Sequence, residues 1–553
     1  MPSGRPSRHF WRPSVLVASR AVVVGVLVAA LSGCSGVLST SSGPDGSNYK
    51  GITIESLRPK DSAALQSYYN QKPGWQPCSG GLLCAKIKAP IDWQHVTRAS
   101  IELALVKHLA TGTSLGALVV NPGGPGGSGV DFVKAGVTNV VDSTVAAHYD
   151  VVGFDPRGVG ASSPVKCFND AGMDKYLYGP IPGVVGSVRW ISTEEKRARS
   201  LAAACEKGTG PVLAHIDSVS AASDLDLIRS ALGETKLNYL GYSYGTYLGT
   251  LYAGLYPQHV GRMVLDGADD PWGADYQPTP DGVPQEDYSV SPQYDPTVAQ
   301  AQGFEDDFNA YLEACIAGTK SAVGSVTCPF SGSVSSADSS VEKLLARTNS
   351  KPLVAKDGRR LYAATLVTAI TDSLYSPEEW PELTQMFVDL KAGNPAIAFD
   401  FADQYNDRNA NGSYHDNLDL AHLAIECLEG GASTDIPFDF RELQELNKVA
   451  PVLGQYSAYG DLLCSGWKYG PTPFPNPVHA KGTGPILVLG TTGDPATPYV
   501  DAQLLAKQLD GGHLVTYVAE GHTAYNRGDT CINDTVDAYL DAGTVPAKDP
   551  RCH

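Results

Sequence analysis

The segment most able to do chemistry is a serine set between two glycines. It is the run GYSYG at positions 241–245. An apolar run at 237–240 precedes it, and a helical pattern at 246–256 follows it. This strand–turn–helix context is typical of a nucleophile elbow, in which glycines permit the tight turn that lifts a serine hydroxyl above a sheet. The sequence therefore predicts Ser243 as a catalytic nucleophile.

The same G-x-S-x-G pattern occurs a second time, as GTSLG at positions 112–116. The bare pattern is a weak signal, so its surroundings must decide which serine reacts. The second copy lies between two predicted strands, which is the setting of a hairpin-type loop and not of an elbow. We therefore interpret Ser114 as a turn residue.

A reactive serine needs a histidine as general base and an acid that orients the histidine. Asp494 follows the apolar run 486–489 in the loop GTTGDPATP, and His522 follows the run 514–518 in the loop EGHT. Of the 12 histidines, only His522 lies in a glycine-bounded loop after a late predicted strand. The chain order serine, acid, histidine favours Asp494 as the acid. Rival acids stand at the end of an earlier predicted strand: Asp266, Asp269 and Asp270.

A glycine-rich run, NPGGPGGSG at positions 121–129, follows the predicted strand 117–121. It lacks the Gly-Lys-Ser/Thr end of a nucleotide-binding P-loop, and it is not a dinucleotide fingerprint. Backbone without side chains can approach a substrate closely, and its N–H groups can stabilise an oxyanion. The sequence predicts an oxyanion hole from the N–H groups of Gly124 and Tyr244, while a plain loop or a phosphate cradle is the structural alternative.

Short apolar runs alternate with helical patterns, which is typical of a mostly parallel sheet with helices on both faces. The predicted strands span 85–91, 101–108, 117–121, 150–155, 237–242, 263–266, 485–490 and 513–518, and a predicted helix spans 223–232. The interval 272–480 is too long for a loop and carries helical patterns, so we expect a large, mostly helical lid before the last two core strands. The core is then predicted at 75–271 and 481–553.

The N-terminus has the pattern of an export signal. Four arginines and no acid occur in the first 33 residues, and an apolar run at 21–31 is shorter than the roughly 20 residues that span a bilayer. The run ends in LSGC at 31–34, which resembles a bacterial lipobox and predicts a lipid anchor on Cys34. Residues 1–33 are then a signal peptide, and 34–74 the lipidated cysteine and a flexible tether. Ordinary secretion with cleavage at a small residue is the alternative.

Charge and cysteine content agree with export. The chain has 41 basic and 59 acidic residues, and removal of the four leading arginines leaves 37 basic residues. Phosphates would repel so acidic a protein, which excludes a nucleic-acid partner. Besides Cys34 there are ten cysteines, for which pairing of sequence neighbours is the simplest of several open connectivities. The neighbouring couples are Cys78 with Cys84, Cys167 with Cys205, Cys315 with Cys328, Cys427 with Cys464, and Cys531 with Cys552.

Several motifs in one order resemble a known family. They are NPGGPGGSG at 121–129, GFDPRG at 153–158, GYSYGT at 241–246, LDG at 265–267, GDPATP at 493–498 and GHT at 521–523. Together they resemble the tripeptidyl-aminopeptidase-type serine peptidases of actinobacteria, in the prolyl-aminopeptidase branch of the α/β-hydrolases. The resemblance extends from about Trp75 to Cys552. It implies an α/β-hydrolase fold, the triad and oxyanion hole named above, and removal of short peptides from free N-termini. The segment 272–296 departs from the family pattern as an insertion near the mouth of the site.

A peptidase that requires a free N-terminus needs a carboxylate for the substrate ammonium, because an unpaired buried charge is costly. The resemblance places the segment 425–429 near the substrate's amino end. We therefore predict Glu429 as the first candidate and Asp270 as the second, with a solvated surface acid as the alternative for both. A bridge from Cys427 to Cys464 would hold the segment rigid.

No metal and no cofactor are expected. The run DRNANG at 407–412 matches the first half of a calcium loop, but its twelfth position is Leu418 where a carboxylate belongs, so we interpret it as a polar turn. The sequence thus predicts an exported, membrane-anchored serine peptidase whose partners are peptide or protein N-termini. A carboxylesterase or lipase of the same fold is one alternative, and a non-catalytic peptide-binding lipoprotein is another.

Overall fold

The computed structural model describes residues 53–269, 295–430, 436–472, 474 and 478–553. Its centre is a ten-stranded sheet. A two-stranded hairpin, β8–β9, lies in the lid. The strands are β1 (Gln76–Pro77), β2 (Leu83–Pro90), β3 (Ser100–His108), β4 (Ala117–Asn121), β5 (Asp150–Phe154), β6 (Leu237–Tyr242), β7 (Val260–Asp266), β8 (Leu353–Val354), β9 (Arg360–Leu361), β10 (Ile486–Gly493), β11 (Gly512–Glu520) and β12 (Arg551–Cys552).

Strand order in the sheet is β1-β2-β3-β5-β4-β6-β7-β10-β11-β12. The first three strands pair antiparallel, as does β3 with β5, and all later pairs are parallel. The strands β4, β6, β7 and β10 are neighbours and point the same way. Their carboxyl ends therefore lie together at one edge, which is where sites form in sheets of this kind.

Helices cover both faces of the sheet and build the lid. Before the lid they are α1 (Ile54–Leu57), α2 (Ala63–Tyr69), α3 (Gly129–Lys134), α4 (Val137–Val140), α5 (Ser143–His148), α6 (Asp170–Leu177), α7 (Val188–Thr209), α8 (Ser218–Leu232) and α9 (Tyr244–Leu255). Then follow α10 (Pro296–Ile316), α11 (Lys320–Val323), α12 (Val334–Ser350), α13 (Ala363–Leu374), α14 (Trp380–Lys391), α15 (Ala396–Tyr405), α16 (Leu418–Glu429) and α17 (Ile436–Val449), and after the lid α18 (Tyr499–Gln508) and α19 (Thr530–Ala542).

Successive side chains of the central strands are buried on opposite faces of the sheet, as the two-residue period of a strand requires. In β4, Val119 belongs to the apolar cluster under α8, α9 and α18, whereas Leu118 and Val120 belong to the cluster under α3, α5 and α19. Both clusters are closed to solvent, so the sheet is buried on both faces. This is the doubly covered α/β architecture that the sequence predicts.

The lid has an apolar core of its own, built from aromatic and aliphatic side chains of α10 and α12–α15. Helix α16 is different: Leu420, Ala421, Leu423 and Ala424 pack into the same cluster as the core helices α8 and α9. One lid helix is therefore part of the hydrolase core. Its position over the sheet brings lid side chains close to the catalytic loops.

The predicted strands are all confirmed, with ends that differ by three residues at most. The predicted start of helix α8 is wrong by five residues, because Asp217 caps the helix at Ser220 N–H and Ser218 is its first residue. Among the residues described, none of the helices combines the length and apolarity needed to cross a membrane.

The ten cysteines between positions 78 and 552 are all joined in disulfides, and each bonds to its neighbour in sequence. The bonds join Cys78 to Cys84, Cys167 to Cys205, Cys315 to Cys328, Cys427 to Cys464, and Cys531 to Cys552. The simplest of the connectivities left open by the sequence is therefore the one that the structure has.

The predicted tether is wrong in its second half. From Thr53 onward the chain folds into α1 and α2; Leu65 is buried in the core, and Tyr69 Oη donates to Asp226 Oδ2 at 3.0 Å. These contacts make 53–74 part of the hydrolase core. Cys34, with the rest of the first 52 residues, lies outside the described residues, as does most of the predicted insertion at 272–296.

Candidate active site

The nucleophile elbow is formed as predicted. Ser243 stands between β6 and α9 with φ 54° and ψ −130°, a strained conformation for a residue with a side chain. A Cβ added to Gly241 would lie 2.3 Å from the carbonyl oxygen of Gly245, and one added to Gly245 would lie 2.9 Å from that of Asn121. Only glycine fits at either position. The turn thus holds the partly accessible Ser243 side chain at the carboxyl edge of the sheet.

Ser114 lies at the opposite edge. It stands just before β4 begins, in an exposed loop where its hydroxyl oxygen accepts from Gly116 N–H at 3.2 Å. The interpretation of Ser114 as a turn residue is confirmed, but the predicted hairpin-type loop is wrong, because β5 lies between β3 and β4 in the sheet. Because β4 and β6 are parallel, a residue before β4 and a residue after β6 are separated by the length of a strand.

His522 and Asp494 form the second half of the site. His522 Nδ1 lies 2.9 and 3.0 Å from the two carboxylate oxygens of Asp494. Backbone N–H groups of Ala496, Thr497 and Thr523 also donate to this fully buried carboxylate. Nδ1 therefore carries the hydrogen, and Nε2 is left as the proton acceptor. In the described part of the chain, His522 Nε2 is buried and has no partner.

The imidazole of His522 and the backbone of Ser243 meet at the turn after β7. Ser243 N–H donates to the carbonyl oxygen of Asp266 at 2.9 Å. A Cβ added to the next residue, Gly267, would lie 3.0 Å from His522 Cε1. The base and the nucleophile thus contact neighbouring residues of one turn. Ser243, His522 and Asp494 thus lie around one turn, and their action as a triad stays a prediction.

Asp266, a rival for the role of the acid, contacts the histidine loop and not the imidazole. Its carboxylate oxygens accept from the N–H groups of Ala524 and Tyr525 at 2.9 and 2.8 Å. Burial raises the pKa of Asp266 to about 6, although these two hydrogen bonds act in the opposite direction. Asp266 therefore supports the loop that carries His522. Of the other rivals, Asp269 donates its backbone N–H to Thr246 Oγ1, and Asp270 lies outside the described residues.

The glycine-rich loop lies against the elbow. A Cβ added to Gly123 would lie 2.9 Å from Ser243 Cβ and 3.1 Å from the backbone nitrogen of Tyr244. Tyr244 is the first residue of α9, where N–H groups have no partner within the helix and the helix dipole favours negative charge. This arrangement is suited to an oxyanion, and the assignment of the N–H groups of Gly124 and Tyr244 stays a prediction.

The lid helix α16 supports the same glycine loop through a residue that the sequence analysis missed. His422 Nδ1 donates to the carbonyl oxygen of Pro125 at 3.2 Å, and a Cβ added to Gly126 would lie 2.9 Å from the backbone nitrogen of His422. Burial lowers the pKa of His422 to about 4. The ring is therefore neutral at pH 7. No local motif marks this histidine, since its partner lies 297 positions earlier in the chain.

His422 should make the fold sensitive to acid. Because its pKa is about 4 in the folded protein and the ordinary value for histidine is 6.5, the unfolded chain binds the proton first as the pH falls. Stability that is present above pH 6.5 is then lost towards pH 4, by about 3 kcal/mol from this one group. We expect a His422→Gln variant to lose less stability over that range, measured by urea unfolding at each pH. An equal loss of stability in the two proteins over that pH range would contradict the low pKa assigned to His422.

A second lid residue, Tyr375, contacts His522. Its carbonyl oxygen accepts from His522 N–H at 2.9 Å, and its ring stands edge to face with the imidazole, with centroids 5.4 Å apart. A Cβ added to Gly521 would lie 2.7 Å from Pro377 Cδ, so the turn after α13 is packed directly on the histidine loop. The lid thus contacts both the glycine loop 121–129 and the loop of His522.

Glu429, the first candidate for the substrate amine, lies at the end of α16. Its two carboxylate oxygens accept from Ser218 N–H at 2.7 Å and from Tyr247 Oη at 3.1 Å. Burial and then the charge of Asp217 raise the pKa of Glu429 to about 7, while the hydrogen bonds lower it. The Cys427–Cys464 disulfide fixes the preceding turn of the helix. The carboxylate is held beside the elbow helix α9, and its role towards an amine stays a prediction.

The calcium-like run 407–412 forms a turn. Asn409 and Ser413 are joined by a backbone hydrogen bond, and Arg408 forms an ion pair of 2.6 Å with Asp174. These contacts confirm a polar turn at this place.

Comparison with known proteins agrees with the fold. The family described as "alpha/beta hydrolase fold" matches residues 116–309, and the family described as "TAP-like protein" matches residues 450–552. Ser243 falls in the first range, and Asp494 and His522 fall in the second.

Three relatives match most of the chain. Serine protease Hip1 of Mycobacterium tuberculosis is 35% identical over 86% of this chain and 90% of its own length. A protein of the same organism named carboxylesterase B is 37% identical over 85% and 86%. Tripeptidyl aminopeptidase of Streptomyces lividans is 31% identical over 86% of both chains. With its fold, the chain therefore belongs to the α/β-hydrolase family of enzymes, in the branch of the tripeptidyl-aminopeptidase-type serine peptidases.

Proposed function

We propose that the protein is an exported, membrane-anchored serine peptidase that releases short peptides, mainly tripeptides, from free N-termini. The observation that carries the proposal is the His522–Asp494 pair, at 2.9 Å, beside the strained elbow of Ser243. The names of the relatives supply the peptide class, since one is a serine protease and another a tripeptidyl aminopeptidase.

In the proposed mechanism, His522 Nε2 takes the hydroxyl proton of Ser243 as the oxygen attacks the scissile carbonyl carbon. The N–H groups of Gly124 and Tyr244 stabilise the negative charge on the carbonyl oxygen. The C–N bond then breaks, and His522 returns the proton to the leaving amine. Water repeats these steps on the acyl-enzyme, while the buried Asp494 holds the imidazole in one tautomer.

The triad acts on the carbonyl group alone, so the preference for a free N-terminus must come from elsewhere. Glu429 is the proposed partner of the substrate ammonium, because it is a held carboxyl group beside the elbow helix α9. With a pKa of about 7 it exchanges its proton near neutral pH, and an ammonium ion would favour the charged form. The second candidate, Asp270, rests on the sequence alone.

The deciding experiment compares a tripeptide anilide with its N-acetylated form. We expect cleavage of the free peptide only, with a KM that rises as the pH falls below about 7, because protonated Glu429 no longer attracts the ammonium. Glu429→Gln should raise KM on the free peptide and remove that pH dependence. Glu445→Gln, at an exposed position of α17, is the matched control and should change neither.

Two outcomes would contradict parts of this proposal. Equal cleavage of the free and acetylated peptides would mean an endopeptidase or a general esterase. An unchanged KM for Glu429→Gln, with the free amine still required, would remove Glu429 from the amine site and leave the peptidase function standing.

Carboxylesterase activity is the second candidate, favoured by the relative named carboxylesterase B. A triad and an oxyanion hole serve esters as well as amides. A p-nitrophenyl acyl ester and the tripeptide anilide, measured side by side, separate the two functions by their kcat/KM values. A non-catalytic peptide-binding lipoprotein would cleave neither substrate.

Membrane anchoring is proposed from the lipobox-like run at 31–34. Cys34→Ala should prevent attachment of the lipid and leave the precursor uncleaved, because the thiol accepts the diacylglyceryl group. Metabolic labelling with a fatty acid in the native host checks this expectation. Equal labelling of the wild type and the Cys34→Ala variant would contradict the lipid anchor at this residue.

A further inference from the structure

A cavity of about 110 Å³ lies between helix α7, the lid helix α13 and the turn after α17. Five of its nineteen lining residues are aromatic: Tyr176, Trp190, Tyr362, Tyr456 and Tyr459. No residue of the glycine loop 121–129 or of the elbow 241–245 lines it. It is therefore separate from the place where the bond is cleaved.

One face of α13 connects this cavity with the catalytic base. Ala364 and Thr368 line the cavity, and Thr371 and Tyr375 follow on the same face at spacings of three and four residues. Tyr375 contacts His522 through its carbonyl oxygen and its ring. Thr368 and Tyr375 are seven residues apart, which is about 10 Å along a helix.

Polar atoms without partners line this interval. Thr371 Oγ1 is buried and makes no hydrogen bond to any described residue, and the same is true of Asn406 Oδ1, which lies at the cavity wall. The amide of Asn406 is oriented by its Nδ2, which donates to the carbonyl oxygen of Ala402 at 2.8 Å. Buried polar atoms are normally satisfied, so unpaired ones indicate water or a ligand. A peptide N–H group in the cavity could donate to Asn406 Oδ1.

The length of this interval fits a tripeptide substrate. The following step rests on the proposed function. Three extended residues span about 10 Å. With the carbonyl group of the third residue at Ser243, the first residue lies about 10 Å away, which is comparable with the rise from Tyr375, beside His522, to Thr368 at the cavity. We infer that the cavity binds the side chain of the substrate's amino-terminal residue and that it selects an apolar or aromatic one.

The charge of the cavity wall supports an apolar occupant. Among the described residues of the wall, the charged ones are Glu194 and Arg197, which form an ion pair at 3.3 Å; Arg197 Nη2 also donates to the carbonyl oxygen of Tyr176. The pair leaves no net charge for a charged side chain. An apolar side chain that leaves water and packs against aromatic rings contributes most to the free energy of binding.

The test changes the size of the cavity and measures selectivity. Tripeptide anilides that differ only in the first residue (Gly, Leu or Phe) are compared with a series that differs only in the third. The wild type should prefer Leu and Phe over Gly at the first position by about tenfold or more in kcat/KM. Ala364→Leu fills the cavity and should reduce that ratio to near one, with the third-position ratios unchanged.

Two further variants keep the test decisive. Trp190→Ala enlarges the cavity and should shift the first-position preference towards Phe, and it gives the answer if Ala364→Leu does not fold. Ala355→Leu makes the same exchange at a half-buried lid position outside the cavity and should keep the wild-type ratios.

The outcomes separate this inference from the proposed function. A wild type that cleaves free tripeptides without a first-residue preference, or with one that neither Ala364→Leu nor Trp190→Ala alters, would overturn the cavity's role alone. A wild type that cleaves no free tripeptide would overturn the proposed function, and this inference with it.

Discussion

Replacing Ser243 with alanine is expected to abolish peptide hydrolysis and labelling by a fluorophosphonate. The strained elbow presents the serine hydroxyl at the carboxyl edge of the sheet, and alanine has no group that can form the acyl-enzyme in its place. The loss in kcat should be about 10⁶-fold, as in other triads that lose the nucleophile. Gel labelling and steady-state kinetics on a tripeptide anilide measure the two effects independently.

Ser114→Ala is the matched control, because it changes the serine of the second G-x-S-x-G run. Ser114 lies in an exposed loop before β4, at the edge of the sheet away from His522. We expect labelling and hydrolysis to stay within about twofold of the wild type, since surface substitutions of this kind change little. A dead Ser114→Ala variant beside an active Ser243→Ala variant would reverse the assignment.

Asp494→Asn is expected to lower kcat by about 10⁴-fold with little change in KM. The amide keeps the size of the side chain but removes the charge that faces His522 Nδ1 at 2.9 Å. The imidazole would then lose its preferred tautomer, and Nε2 could no longer accept the proton of Ser243. Kinetics on the anilide and the rate of fluorophosphonate labelling should fall together, because both depend on the base.

The Asp266→Asn variant tests whether Asp494 or Asp266 is the catalytic acid. The Asp266 carboxylate accepts from two backbone N–H groups, and an amide can satisfy only one of them. We expect a loss of stability of about 1–3 kcal/mol and a much smaller loss of kcat than in Asp494→Asn. Urea unfolding and kinetics measure the two losses. A larger loss of kcat in Asp266→Asn than in Asp494→Asn would make Asp266 the catalytic acid.

The lid contacts two loops of the candidate active site. His422 holds the carbonyl oxygen of Pro125 in the glycine loop, and Tyr375 holds the backbone and the ring of His522. A lid that moved away would release the glycine loop and the loop of His522 at once. The helical insert therefore completes the site as well as covering it.

Much of the fold follows from local patterns. The strands β4, β6 and β10 are short apolar runs between turn residues, and runs of that kind fold as parallel strands covered on both faces. Two predictions were wrong: the start of helix α8 and the flexible tether over residues 53–74. The cap of α8 was a local signal, because Asp217 and Ser220 are three residues apart, whereas Tyr69 and its partner Asp226 are 157 positions apart and only tertiary packing joins them.

The sequence by itself determined the elbow around Ser243, because an elbow requires glycines at fixed positions and nothing distant; the role of Ser243 as nucleophile stays a prediction. It also placed a histidine and several acids at the ends of strands. Chain order favours Asp494 over Asp266 as the acid, but only the tertiary structure shows that the Asp494 carboxylate faces the imidazole of His522 while the Asp266 carboxylate accepts from the backbone of the histidine loop. The roles of His422 and Tyr375 likewise depend on tertiary packing. Their partners Pro125 and His522 are far away in the chain, and only the packing of the lid on the sheet brings them within hydrogen-bond distance.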